Sequence, residues 1–349
     1  MALQPELMTH YSIGVDLGGT NLRIAALDDK GQLLEKVTLG VKVFQGRDQV
    51  IDAMCEAIAE LVEKHKGHAE LAGIGVGIPG IIDLKAGTLR ACPNLPGWAQ
   101  FPVQAEIERR LNTRVLLEND ANVAALGEKW LGAARHVDDM AMLTLGTGVG
   151  GGLVLEKKIL HGMTGMAGEF GHMTIDENGV QCKCGNRGCL EAYASATAVA
   201  RMAKEAIDSG SAPALAEASS SDPEFGAKSI YNLAIQGDEA ARKIFRRVGS
   251  ALGIGVANLV NALNLPMYVI GGGVSSAWDA FAPSMFEELR KRSMVYAATA
   301  PSEGASSQGA SAQVTPSDGA QRTIITRALL GSDAGLFGAA RLPFTASQT

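Results

Sequence analysis

The chain has 349 residues, 46% hydrophobic and 19% charged, with a formal charge of −6. That balance supports a sizeable core, argues against a disordered chain, and at roughly 100–200 residues per domain fits two domains. With no basic stripe, no run of ~18 apolar residues and no leader-like N-terminus, the expectation is a cytoplasmic protein with neither nucleic acid nor membrane as partner. In chain order, residues 11–17 form an apolar run ending in glycines and predict a strand. Residues 21–28 and 33–39 predict two more, and three strands joined by short turns imply an antiparallel meander. The spacing of Val50, Met54, Ile58, Leu61 and Val62 predicts a helix over 47–66. A buried strand over 72–79 leads into a Gly/Pro-punctuated loop, followed by helix 101–112, strand 114–118 and helix 120–131. A comparable series opens at 139, with strands 140–146, 150–155 and 158–161. Helices 195–208, 226–236 and 238–263, strand 266–270, helix 278–294, strand 322–327 and helix 333–341 complete it. Two β-β-β-α-β-α-β series without sequence self-similarity predict an α/β protein of two lobes, residues 1–135 and 136–349, with a cleft between them. Residues 298–321 are rich in Ser, Ala, Gly, Gln and Pro, too polar to offset their own ordering entropy, and read as a flexible surface insertion.

Glycine makes up 42 of the 349 residues, against the roughly 7% that is usual. Three glycine turns follow predicted strands. In Asp16-Leu17-Gly18-Gly19-Thr20-Asn21, consecutive backbone amides can hold an anion, and Asp16 is placed to orient Mg2+ through water. A plain hairpin turn accounts for the same residues. The second turn carries Gly146, Thr147 and Gly148. Gly146, Gly148 and Gly151 fit G-x-G-x-x-G, as do Gly75, Gly77 and Gly80. Neither opens a helix after its strand, so neither is a dinucleotide fingerprint, and a P-loop sequence is absent. Gly271-Gly272-Gly273 precedes a helix and suits an adenosine or its phosphates.

Glu118-Asn119-Asp120-Ala121-Asn122 ends a strand and opens a helix. There Asp120 is either a helix N-cap or a general base for a poorly nucleophilic hydroxyl. Asn94-Leu95-Pro96-Gly97-Trp98 is a turn signal in which Trp98 reads as a packing residue. Cys182, Cys184 and Cys189 stand in C-x-C-G-x-x-G-C spacing. Three thiolates this close suit a closed, four-ligand zinc site, the alternative being a redox pair or disulfide. Cys55 and Cys92 read as ordinary free thiols.

DLGGTN, LGTGVGGG and VIGGGVS stand in the order found in the actin, hexokinase and Hsp70 superfamily. The sequence resembles the ROK branch of repressors and sugar kinases over nearly the whole chain outside 298–321 and both tips. The resemblance implies two actin-like (ribonuclease H-like) lobes that hold ATP, Mg2+ and a hexose. It assigns Gly18, Gly19, Thr20, Asn21, Gly146, Thr147, Gly148 and Gly271 through Gly273 to the nucleotide side. It makes Asp120 the catalytic base and Asn119 a sugar-hydroxyl partner. Asn94, Glu169 and His172 of AGEFGH, and Glu191 match sugar-binding positions. His172 also matches the fourth ligand of a structural zinc held by Cys182, Cys184 and Cys189, one ring nitrogen on the metal and the other toward the sugar. The implied reaction is ATP-dependent phosphorylation of a hexose 6-hydroxyl by a homodimer or tetramer. Glucose is the favoured hexose, ahead of N-acetylmannosamine and other hexoses. A sugar-responsive regulator is the lesser reading, because the first predicted strand begins at residue 11 and leaves no room before it for a helix-turn-helix. A catalytically silent sugar-binding protein is a third.

Overall fold

The computed structural model describes residues 10–18, 21–40, 46–92, 95–300 and 322–346. Gly19, Thr20, Asn94 and residues 301–321 of the expected insertion lie outside them. Strands β1 (His10–Leu17), β2 (Asn21–Asp28) and β3 (Leu33–Gly40) form the expected antiparallel meander. Its second turn is closed by Asp28, whose carboxylate accepts the Lys30 and Gln32 amides. Helix α1 (Arg47–His65) buries Val50, Ile51, Met54, Ile58 and Leu61 on one face, with Cys55 beside them. Strand β4 (Glu70–Ile78) pairs parallel with β1. A hairpin of β5 (Ile81–Asp83) and β6 (Thr88–Ala91) follows, where the sequence suggested a loop. Helix α2 (Val103–Leu111), strand β7 (Val115–Asn119) and helix α3 (Asp120–Trp130) complete the series. The sheet order is β3-β2-β1-β4-β7, with β4 and β7 parallel. Trp98 is fully buried in the core beside this sheet, edge-on to Phe101.

The second series opens with β8 (Met140–Leu145), β9 (Val149–Leu155) and β10 (Lys158–Ile159). Helices α4 (Glu191–Ala194), α5 (Ala196–Asp208), α6 (Pro213–Ser221), α7 (Ala227–Gln236) and α8 (Glu239–Leu263) follow. Then come β11 (Met267–Gly271), α9 (Trp278–Arg292), α10 (Met294–Thr299), β12 (Ile324–Arg327) and α11 (Ala334–Ala346). The order β10-β9-β8-β11-β12 repeats that of the first sheet strand for strand. Here too the last three strands run parallel.

Several elements depart from the expected bounds. Helix α6 was not anticipated; it opens on Pro213 and buries Leu215 alone of its side chains. The helix expected over 278–294 stops at Arg292, because the Ser293 hydroxyl caps α10 by accepting the Tyr296 amide. Residues 298 and 299, expected in the insertion, therefore close a helix. Helix α11 runs through Pro343 to Ala346 instead of ending at 341.

The described residues divide into two compact units. One draws on Met1–Asp138, Gly152–Ala167 and Ser332–Thr349, the other on Asp139–Gly151 and Gly168–Gly331. Compared with the expected boundary after 135, residues 136–138, 152–167 and 332–349 join the first unit. Within that unit α11 packs on the sheet and on α3. A Cβ at Gly338 would lie 1.6 Å from the Val123 carbonyl oxygen, so only glycine permits this approach.

Candidate active site and metal centre

In the first unit Asp16 is the penultimate residue of the buried strand β1. Its side chain is 15% exposed, and one carboxylate oxygen accepts Arg23 Nη1 at 3.0 Å. Burial pushes the Asp16 carboxyl above the ordinary carboxylate range, Arg23 opposes the shift, and the Asp333 carboxylate adds to it. Asp333 is itself paired with Lys36 at 2.7 Å. The turn after β1 is closed by the Gly18 amide, which donates to the carbonyl of Asn21, the first residue of β2.

Strand β7 delivers Glu118 and Asn119 directly into α3. The Asn119 side-chain oxygen accepts the Ala121 and Asn122 amides at 2.9 and 3.3 Å, and its side-chain nitrogen donates to Gly80 O at 3.1 Å. Asn119 is therefore the N-cap, and Asp120, half-buried, is the first helical residue. The Asp120 Oδ1 also accepts the Ala121 amide. Glu118 is buried, and its second oxygen meets His161 Nε2 at 2.6 Å. The motif reading gave Glu118 no role and did not single out His161; partners 43 residues apart leave no local pattern.

In the second unit the β8–β9 turn is held from both sides. The Gly146 amide donates to Gly148 O at 2.9 Å, the Ala196 amide donates to Gly146 O at 2.8 Å, and the Thr197 hydroxyl donates to Thr147 O at 2.7 Å. Glu191, the first residue of α4, accepts the Val149 amide at 2.9 Å. The structure thus sets this carboxylate against the glycine turn. The third turn touches the same strand end. Gly272 has φ 82°, and a Cβ there would meet the Leu145 backbone at 2.5 Å. Gly273 opens a 3-10 turn, Gly273–Ala277, ahead of α9.

His172, Cys182, Cys184 and Cys189 converge, with one donor atom from each lying within 4.8 Å of the others. Two positive-φ glycines, Gly185 and Gly188, turn the chain back on itself. Backbone bonds from Cys182 to Asn186 O and from Gly188 to Val180 O hold the loop closed. Tyr193, which the motifs did not single out, braces it: its hydroxyl accepts the Val180 amide and donates to Asp176. His172 Nδ1 lies 3.9 Å from the Cys182 sulfur, while its Nε2 lies 3.9 Å from the Glu169 carboxylate. One imidazole therefore faces both the cysteine cluster and the carboxylate of the AGEFGH box. The Cys182 sulfur is also 4.0 Å from Glu191. Burial pushes the Cys189 thiol up to about 12 and raises Cys182 as well, while the Asn186 amide lowers Cys184. Thiols so placed resist ionising together, a resistance that a divalent cation relieves.

The sequence matches the ROK family over residues 12–344. A glucokinase of Thermotoga maritima is 39% identical over 284 residues, 81% of this chain and 87% of that one. A glucokinase of Halalkalibacterium halodurans is 37% identical over 330 residues, 94% and 93% of the two chains. A xylose repressor of Caldicellulosiruptor bescii is 33% identical over 284 residues, 81% of this chain and 71% of that one. Among solved structures, a ROK hexokinase from Thermus thermophilus superposes with a TM-score of 0.76 at 33% identity, covering 97% and 99% of the chains. A ROK glucokinase from Streptomyces griseus, in complex with glucose and AMPPNP, gives 0.74 at 31% identity over 95% and 98%. The duplicated sheets are those of the actin-like ATPase fold. The chain belongs to the ROK family.

Proposed function

We propose that this chain is an ATP-dependent sugar kinase that phosphorylates the 6-hydroxyl of a hexose, with glucose as its substrate. The observation that carries the reading is the 37–39% identity to two glucokinases over most of both chains. Asp120 takes the proton from the sugar hydroxyl as the phosphoryl group is transferred, since a hydroxyl is a weak nucleophile at neutral pH. Asn94, Asn119, Glu169, His172 and Glu191 supply polar partners for the other hydroxyls. Backbone amides of the turns at Gly18 through Asn21, at Gly146, Thr147 and Gly148, and at Gly271 through Gly273 hold the nucleotide and its phosphates.

Asp16, largely buried and paired with Arg23, would orient Mg2+ through water. Three thiols and an imidazole form a soft donor set, and His172, Cys182, Cys184 and Cys189 would together hold zinc. Bound there, the metal supplies rigidity and fixes the His172 ring, as a closed structural site does.

A coupled assay over a panel of hexoses, with ATP and polyphosphate as alternative donors, tests this reading. Turnover of no hexose with either donor would overturn it. Likeness to a xylose repressor supports a second reading as a regulator. A regulator binds sugar and duplex DNA without hexose-dependent ATP consumption, so the same assay separates the two.

A further inference from the structure

The proposed reaction leaves the buried Glu118 carboxylate and its partly exposed partner His161 without a role. Glu118 sits at the end of β7 with its side chain 4% exposed. A carboxylate so buried is costly unless its oxygens are engaged. Oε1 accepts the Asn119 backbone amide and the Asn122 side-chain amide, both at 2.9 Å. Oε2 faces His161 Nε2 at 2.6 Å. The two residues held by Oε1 flank Asp120: Asn119 is the N-cap of α3, and Asn122 donates one of the two amides that the cap accepts. The orientation of the Glu118 carboxylate therefore sets how the chain enters α3 around Asp120. His161 fixes that orientation from the other side. Its own carbonyl accepts the Ala167 amide at 3.1 Å, closing the 161–167 loop and holding the ring's base in place. That loop runs directly into Gly168 and Glu169.

We propose that His161 is a positioning residue for Asp120, acting through Glu118. The inference rests on the hexose-kinase reading above. Hydrogen bonding to Glu118 also holds the His161 imidazole above its ordinary range, against the opposing effect of burial. Glu118 is the charged group that faces it.

The test compares wild type with His161→Ala, His161→Gln and Glu118→Gln. A glutamine amide can donate from nearly the position of Nε2, so His161→Gln should retain most of the activity. In His161→Ala, kcat should fall by about 10-fold while KM for ATP stays within about twofold, the split expected of misplaced chemistry rather than lost nucleotide binding. NMR titration of the His161 ring gives a second readout independent of turnover. Its pKa should lie above the usual ~6.5 in wild type and fall in Glu118→Gln. Wild-type kcat in His161→Ala, or a ring titration unmoved by Glu118→Gln, overturns the proposal while leaving the kinase reading in place. A wild-type protein that turns over no hexose overturns both.

Discussion

Asn119 carries the cap of α3 through two backbone amides, so the helix start survives loss of the charge on its neighbour. That separation makes Asp120→Asn a clean substitution: it keeps the size and most of the hydrogen bonding but cannot take up the proton. Turnover should fall by ~10²-fold or more, while glucose binding, followed by calorimetry, persists. Near-normal turnover would falsify the general-base assignment. At the cysteine cluster His172 is the link, its two nitrogens facing the cysteines and Glu169. Cys184 is the exposed thiol of the three, yet a four-ligand site opens when any ligand is lost. Cys184→Ser should therefore lose bound zinc and raise the KM for glucose together, since the imidazole loses its anchor. Elemental analysis that finds no zinc in purified wild type contradicts this.

Among the elements, the segment beyond α10 offers the most direct test. The Thr323 amide donates to Thr299 O at 3.0 Å, and the two threonine hydroxyls meet at 2.7 Å. The ends flanking residues 301–321 are thus already joined, and a short Gly/Ser link can span them. Loop-closure entropy varies slowly with length, so deleting 301–321 should change stability by no more than roughly 1.5 kcal/mol. It should also leave turnover intact; thermal melts and the coupled assay check both, and a deletion that fails to fold shows that the segment contributes to the core. Helices α1 and α8 were legible in the sequence because apolar spacing marks their buried faces, and strands β1, β2 and β4 because continuous apolar runs mark their buried length. The β5–β6 hairpin was not, since its strands are three and four residues long beside the Pro79-Gly80 turn signal. Helix α6 escaped because it buries too little to show a period, and α11 because Pro343 reads as a stop. The site divides in the same way. The cysteine spacing and the ENDAN box are local and readable, whereas the His161–Glu118 and Tyr193–Asp176 bonds join residues far apart in sequence.

Across the whole molecule, the repeated strand order places each glycine turn by rule. The Gly18 turn follows the first strand of one sheet, and the Gly146 turn follows the matching strand of the other. The Gly272 turn follows β11, the counterpart of β4. That regularity positions the turns assigned to the nucleotide in the proposed function, and the choice of hexose proposed there rests on residues outside the repeat. Glu169, His172 and Glu191 supply it in the proposed function, and the last is already anchored to Val149 and therefore fixed in direction. A rigid polar partner discriminates more sharply than a mobile one, because it cannot follow a displaced hydroxyl. Moving one hydroxyl leaves a buried group unpaired at ~1–3 kcal/mol, and an N-acetyl group needs volume besides. The kcat/KM for glucose should accordingly exceed that for N-acetylmannosamine and for fructose by at least ~10-fold, the lower end of one lost buried bond. Competition among the three sugars at equal concentration measures the ratio directly. A preference for N-acetylmannosamine would refute glucose as the substrate while leaving hexose phosphorylation intact. If Glu191→Gln then narrowed the glucose-to-fructose ratio with the fold unchanged, the discrimination would trace to that anchored carboxylate.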